Sequence, residues 1–450
     1  MERVWATKGA WRYGAAALLI CGWAMPAAAA DLGGDCCADL EERVAELEAT
    51  TARKGNRKVS LTVSGWVNEN IVWFDDGSES NVYVGTNPVE QTRFRFLGEA
   101  KITPDWSAGY VLEIGVFGGN ATTWNQNAPD GASGSNSLLV RKSSWFLKSK
   151  TYGKLTVGQD ATATYHLLDD SDTTLTRNFY DAEGAPDYAR PFFIRDSAGN
   201  PFGAGTLRWQ DVLRGFTNST PGDSGRRNVV RYDSPTFGGF SVATSWGEDD
   251  MWDLAVIYKG NFGDFDVNAR AGYGSSGDGV GSACHGSTTS PDNAIDCEWW
   301  GVSAMVQHKP TGLYVYGGYG DQNDGSNNPT VDAAIFDKDS RTWLVQGGIE
   351  QKWIPLGKTN FFGEYRRDEA GSNVSISSTT GLPTTVTEGA NINTWAVGAA
   401  QNLEAAEATL YLVYQHGDGN VTGTGASGLP AGENDLHSLQ QVIGGMKINF

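Results

Sequence analysis

The sequence predicts an all-β protein, a 16-stranded antiparallel transmembrane β-barrel preceded by a short helix. Three observations carry that expectation. From Val59 to Phe450 apolar residues recur on every second position, the period of a strand with one apolar face. Connections between these segments alternate between tight turns and long loops rich in Gly, Ser, Asn and Asp. Past residue 30, no apolar run approaches the roughly 18 to 20 residues that a membrane-crossing helix needs. In hydrocarbon every backbone N–H and C=O must be paired within the protein, so a sheet survives there only when closed.

Residues 1–30 read as a secretory signal peptide, with Arg3, Lys8 and Arg12 ahead of an apolar stretch from Gly14 to Met25 and small residues ending at Ala30. Ile20 is bulky where lipid attachment at Cys21 would want a small residue. The next segment, 31–58, is expected in the periplasm and contains the one convincing helix, 38–52. Its Leu40, Val44 and Leu47 follow coiled-coil spacing. Two heptads alone are marginal in water; identical partners sharing the seam and a helix lying on its own domain both fit.

The barrel is expected to fill 59–450. In "VSLTVSGWVNENIVWF", Val59, Leu61, Val63, Val67, Ile71 and Trp73 share one face. Sixteen such segments begin near residues 59, 89, 106, 138, 152, 227, 239, 252, 264, 298, 313, 340, 359, 392, 407 and 437. Tight turns are expected at 103–105, 149–151, 234–238, 260–263, 309–312, 353–358 and 402–406, and long loops at 118–137, 274–297, 321–339, 369–391 and 417–436. An even count puts both termini on the short-turn side. Aromatics at segment ends, Trp66, Trp73, Phe74, Trp106, Phe117, Trp246, Trp252, Tyr258, Tyr273, Trp299 and Trp300, read as belts at the two membrane–water interfaces.

Strand phase assigns wall charges. With Phe94, Phe96, Gly98, Ala100 and Ile102 facing lipid, Arg93, Arg95 and Lys101 point inward; the same reasoning sends Arg231 and Arg270 inward. "VRKSSWFL" has no clear phase, so Arg141 and Lys142 stay unassigned. The longest connection, 160–226, holds Asp169, Asp170, Asp172, Asp181 and Glu183 among its ten carboxylates, with six Arg and no Lys. Loops of that size tend to be functional.

Composition narrows the function. A net charge of -19 argues against a nucleic-acid partner. The five histidines, His166, His285, His308, His416 and His437, are scattered, so neither an enzyme nor a cofactor or metal centre is expected. Cys284 and Cys297 flank a loop-like "GSTTSPDNAID"; a disulfide suits them better than zinc, for which only His285 is nearby. Glu248-Asp249-Asp250 and Asp337-Lys338-Asp339 read as solvated charge or as cation bridges to lipopolysaccharide.

"CCADLEERVAELEATTARKGNRKVSLTVSGWVN" (36–68), "YGKLTVGQD" (152–160) and "NVVRYDSPTFGGFSVATSWG" (228–247) resemble the general porins of alphaproteobacteria, the Rhizobiales-type outer-membrane family. The resemblance implies a homotrimeric outer-membrane channel for passive diffusion of small hydrophilic solutes and ions. It implies that loop 160–226 folds inward as a constriction. It also makes Met446, Ile448 and Phe450 the terminal strand signal read by the outer-membrane assembly machinery, and suggests a peptidoglycan tether if cleavage after Ala29 leaves an Ala30-Asp31 start. A substrate-specific channel is the runner-up, ahead of a non-conducting anchor or adhesin. Wall arginines facing loop acids would set a transverse field that selects by sign, and the acidic excess leans toward cations. In a trimer, Leu40, Val44 and Leu47 would form the seam and Cys36 or Cys37 would link chains. Non-reducing electrophoresis is then expected to show a covalent multimer that collapses on thiol treatment; a monomer under both conditions would remove the link.

Overall fold

The computed structural model describes residues 59–118, 123–129, 137–181, 185–202, 207–213, 220–247, 250–277, 296–325, 339–376, 383–425 and 429–450. The expected signal peptide, the helix 38–52 with Cys36, Cys37, Leu40, Val44 and Leu47, and also Glu183 and Cys284, lie outside the described residues.

Among the described residues there are nineteen strands: β1 (Ser60–Asp75), β2 (Ser80–Thr86), β3 (Arg93–Lys101), β4 (Trp106–Phe117), β5 (Ser137–Ser149), β6 (Gly153–Ala161), β7 (Arg226–Asp233), β8 (Phe240–Gly247), β9 (Trp252–Phe262) and β10 (Phe265–Ser276). They continue with β11 (Cys297–His308), β12 (Leu313–Asp324), β13 (Asp339–Ile354), β14 (Gly357–Ala370), β15 (Asn373–Ile376), β16 (Pro383–Leu403), β17 (Ala408–Gly423), β18 (Gly432–Asp435) and β19 (Leu439–Asn449). Three positions are shared: β2 and β3 both pair with β1, β14 and β15 with β16, and β18 and β19 with β17, which leaves sixteen places in the wall. Every pairing is antiparallel, and β19 on β1 closes the ring from Trp66↔Asn449 to Asp75↔Gln440. Beyond that ladder, Gly65 and Phe450 exchange backbone hydrogen bonds at 3.0 Å each way.

All seven expected tight turns join consecutive strands on one side. On the other side the expected loops 274–297 and 321–339 are ladder at their ends, and 369–391 and 417–436 over longer stretches. β14 runs to Ala370 and β16 starts at Pro383, while β17 runs to Gly423 and pairs with β18. These stretches, such as "PTTVTEG", carry no apolar alternation, so periodicity could not reveal them.

Outside, the wall is apolar. In β11 buried and exposed residues alternate strictly, with Trp300, Val302, Ala304 and Val306 facing out and Trp299, Ser303 and Met305 facing in. Leu61, Val63, Val315, Val397, Leu412, Ile448 and Phe450 join the same outer band. So large an exposed apolar surface requires a lipid cover. Trp246, Trp252, Tyr273 and Trp300 sit in this outer surface as expected, but Trp66, Phe74 and Trp299 do not. They occupy the inward phase: Phe74 packs on Phe192 at 4.6 Å and the Trp299 indole donates to Thr164 at 2.9 Å. Cys297 is buried at the start of β11 and is disulfide-bonded. Leu412→Arg, at the middle of the outer band, is expected to lower stability by about 2–4 kcal/mol in reversible unfolding from lipid vesicles; an unchanged urea midpoint would mean that Leu412 does not face hydrocarbon.

Candidate functional site

The interior is shaped by the connection from β6 to β7. Where β6 ends, Asp253 of β9 takes hydrogen bonds from the Ala163 and Thr164 amides (3.2 and 2.8 Å) and from the Thr164 hydroxyl (2.7 Å), pulling the chain inward. The wall admits it closely. A Cβ on Gly301 would stand 2.8 Å from Leu168, and one on Gly320 1.9 Å from the Pro221 carbonyl. The loop then crosses the lumen. Ser303 donates to the Leu167 carbonyl at 2.6 Å, Asn268 to those of Asp170 and Ser171 at 3.1 Å, and the Leu175 amide to Glu350 at 2.8 Å. On the far side Phe179 stacks on Tyr411 at 4.5 Å, Lys447 donates to Asn178 at 2.9 Å, and Gln441 to the Tyr188 carbonyl at 2.9 Å. Its later part is tied by Arg195 to Asp76 at 2.5 Å. Burial pushes the Asp76 carboxyl up, but hydrogen bonds from Arg195, Gln126 and two backbone amides outweigh it and hold the group below its ordinary value.

The loop acids therefore have a different place from a ring aimed across open water. Asp169 is buried between His166 (2.8 Å) and Arg177 (3.1 Å), and Asp181 meets Arg177 at 2.5 Å. Asp172 is buried under its own turn, accepting from the Thr174 amide and hydroxyl at 2.8 Å and from the Thr176 hydroxyl; burial pushes its carboxyl up despite these bonds. Asp170 is partly exposed and bridges Arg177 and Arg270, each at 3.0 Å. Arg270 thus serves as a loop anchor on β10. Arg177, on the loop itself, collects four carboxylates, with Glu90 at 3.3 Å the fourth. Burial works against its charge, yet Asp169, Asp181, Glu90 and Asp170 together hold its pKa well above the ordinary value.

Open volume remains along the β3–β7 wall. An upper cavity of about 350 Å³ is flanked by Arg93, Arg141 and Arg226, with Glu90, Asp181 and Asp187 also lining it. A lower one of about 470 Å³ is lined by Arg95, Lys142, Lys154 and Arg231, with Asp160 and Asp233. Glu113, buried in β4, joins them: it pairs with Arg141 at 3.0 Å and with Arg93 at 3.6 Å, and accepts from Arg95 Nε at 2.8 Å. Lys142 pairs with Asp160 at 2.7 Å, and Arg231 with Asp233 at 2.7 Å. Of the residues expected on the basic wall, Arg93, Arg95 and Arg231 line these cavities, whereas Lys101 lies exposed at the turn end of β3.

Phase reading missed Arg141 and Lys142 for a structural reason. Glu113 pairs with Lys142 but Ile114 with Val140, so Arg141 is the extra residue of a β-bulge and both cations point inward. Glu113, flanked by Leu112 and Ile114, and Lys154, followed by Leu155, were readable from phase.

A closed sixteen-place barrel with an inserted loop and charged cavities is now joined by a family match. The Gram-negative porin family model matches residues 14–434. The chain belongs to the Gram-negative porin family. It is an integral outer-membrane channel for passive diffusion. No curated protein matches the sequence. Among solved structures, this porin is similar to the anion-selective porin from Comamonas acidovorans (TM-score 0.55, 16% identity, covering 87% of this chain and 100% of that one). It is also similar to outer-membrane expressed OmpT of Vibrio cholerae (0.51, 13%, 88% and 99%). Salmonella typhi OmpF in complex with daunomycin is a third (0.51, 14%, 87% and 98%). At these identities the likeness is one of fold.

Arg177→Met would leave four carboxylates facing one another. Removing one partner of a buried ion pair costs about 3–5 kcal/mol, so the loop is expected to detach and single-channel conductance to rise. Unchanged conductance and unchanged protease resistance of the loop would show that Arg177 does not hold it.

Proposed function

We propose that solutes and ions cross this porin along the β3–β7 wall, beside the inserted loop, and that the path prefers anions. One observation carries the reading: Asp169 and Asp172 are buried against the loop and the far wall, while seven cations line the two cavities against five carboxylates. The overall acidity of the loop thus says little about the field that an ion meets. Charge rings of this kind select by sign without tight binding. The individual roles of Arg93, Arg95 and Arg231 in that field belong to this proposal, as does that of Asp170, which stays partly exposed.

The finer expectations extend the same reading. A homotrimer is supported by the solved trimer form of Vibrio cholerae OmpT, similar in fold at a TM-score of 0.50 and 15% identity. Alphaproteobacterial ancestry rests on the quoted sequence stretches. Recognition of Met446, Ile448 and Phe450 by the assembly machinery is supported by the exposure of the first two on β19 and of Phe450 just past its end. Pairing of Cys297 with Cys284 follows from their spacing, and lipopolysaccharide contacts and a peptidoglycan tether remain parts of the proposal. A role without catalysis is supported by the dispersal of His166, His308, His416 and His437, whose hydrogen-bond partners are Asp169, Thr311, Asp418 and the Ser438 carbonyl in separate places.

In a potassium chloride gradient across a planar bilayer, the reversal potential is expected to carry the sign of chloride preference. Arg95→Gln with Lys154→Gln should move it toward potassium, and Asp172→Asn should leave it in place. A potassium-selective wild type would sink the proposal.

A further inference from the structure

The upper cavity has a chemical asymmetry beyond a charge ring. Its Gln91 side chain is 3% exposed, and the orientation of its amide is set by Arg141, which donates to Oε1 at 2.9 Å. That leaves Nε2, a buried donor lining the cavity, with no hydrogen-bond partner. A donor left unmade in a buried site costs about 1–3 kcal/mol, so an acceptor arriving there is favoured. Gly115 makes the room: a Cβ on it would stand 2.5 Å from that nitrogen and 3.0 Å from Arg141 Cδ.

Charge points the same way. Arg93 and Arg141 share Glu113, and Glu90 further compensates Arg93 at 3.1 Å. Among the described residues Arg226 reaches no carboxylate; its guanidinium donates to the Tyr165 hydroxyl and lies 4.7 Å from that ring. One cation and one amide donor thus await an acceptor that carries a single negative charge. The same cavity has an apolar side formed by Val89, Phe117 and Leu139. Its volume of about 350 Å³ lies at the small end of ligand pockets.

Resting on the reading of this wall as the solute path, we infer that the upper cavity is a saturable site for small monocarboxylates with an apolar tail. The carboxylate meets Arg226, Arg141 and the Gln91 amide, and the tail lies along Val89, Phe117 and Leu139. A chloride ion gains the charge but not the tail contact, and an uncharged solute gains only the tail contact.

The test uses the purified porin in planar bilayers, with chloride current measured during addition of benzoate, acetate or benzyl alcohol. Benzoate is expected to reduce the current saturably. Acetate should need about tenfold more, since it buries no ring, and benzyl alcohol, with the ring but no charge, should have no effect. Arg226→Gln should raise the half-blocking benzoate concentration about tenfold, and Gln91→Glu should abolish saturation by turning a donor into an anion. Equal block by benzyl alcohol, or no saturation with benzoate in the wild type, would overturn the site while leaving an intact chloride pore. Absence of any chloride current would remove the pore and the site together.

Discussion

Everything in this fold follows from one constraint: in hydrocarbon, a backbone amide or carbonyl has no water to turn to. The ladder of β19 on β1 meets it, because without that seam both strands would present an open edge to lipid. The seam extends to the last residue, where Phe450 pairs with Gly65 and its ring lies over the place a Gly65 side chain would occupy, 2.8 Å from a Cβ built there. A terminal aromatic is thus part of the wall. Closure then fixes the two-sided chemistry of each strand: the outward residues, Ile448 and Leu412 among them, meet lipid, and the inward ones are free to be polar or charged.

Closure also creates an interior that must be filled. The loop between β6 and β7 does so with a core of the kind found in soluble proteins, in which Phe74, Tyr83, Phe179, Phe192, Tyr411 and Ile443 are buried between loop and wall. Such packing brings carboxylates out of water, which is costly unless each finds a partner. Arg177 is that partner for Asp169, Asp170, Asp181 and Glu90 at once. The loop acids consequently stabilise the loop more than they colour the pore.

Much of the barrel was legible because a lipid-facing strand must alternate strictly, and because the seven tight turns contrast with the longer connections opposite. The limits were equally physical. Trp66 and Phe74 have the composition of an interface belt, but their parity is inward, where Trp66 lies beneath Arg93 at 4.4 Å and Lys447 at 4.1 Å. Parity outranks residue type. The bulge at Arg141 shifts parity within a single strand, so no periodic template could assign both Arg141 and Lys142. The burial of Asp172 was hidden for another reason: an acidic loop looks the same in sequence whether its carboxylates face water or hydrogen-bond to its own threonines.

The position of the open path follows from where the loop leans. It is hydrogen-bonded to β9 through β14 and to β19 and β1, and stacks on Tyr411 of β17, which leaves open a crescent beside β3 to β7. There the cations are held mostly by carboxylates of the same wall, Glu113, Asp160 and Asp233, instead of by the loop. On the proposed path a permeating ion meets paired charges, whose attraction is shallow, punctuated by two places where pairing is incomplete. Arg226 is one. Lys154 is the other, resting over the Phe146 ring at 5.0 Å and making no ion pair among the described residues. Conduction needs sites favourable enough to enter and weak enough to leave. Two partly compensated cations in succession, one in each cavity, meet that requirement better than either a fully paired wall or a row of bare arginines.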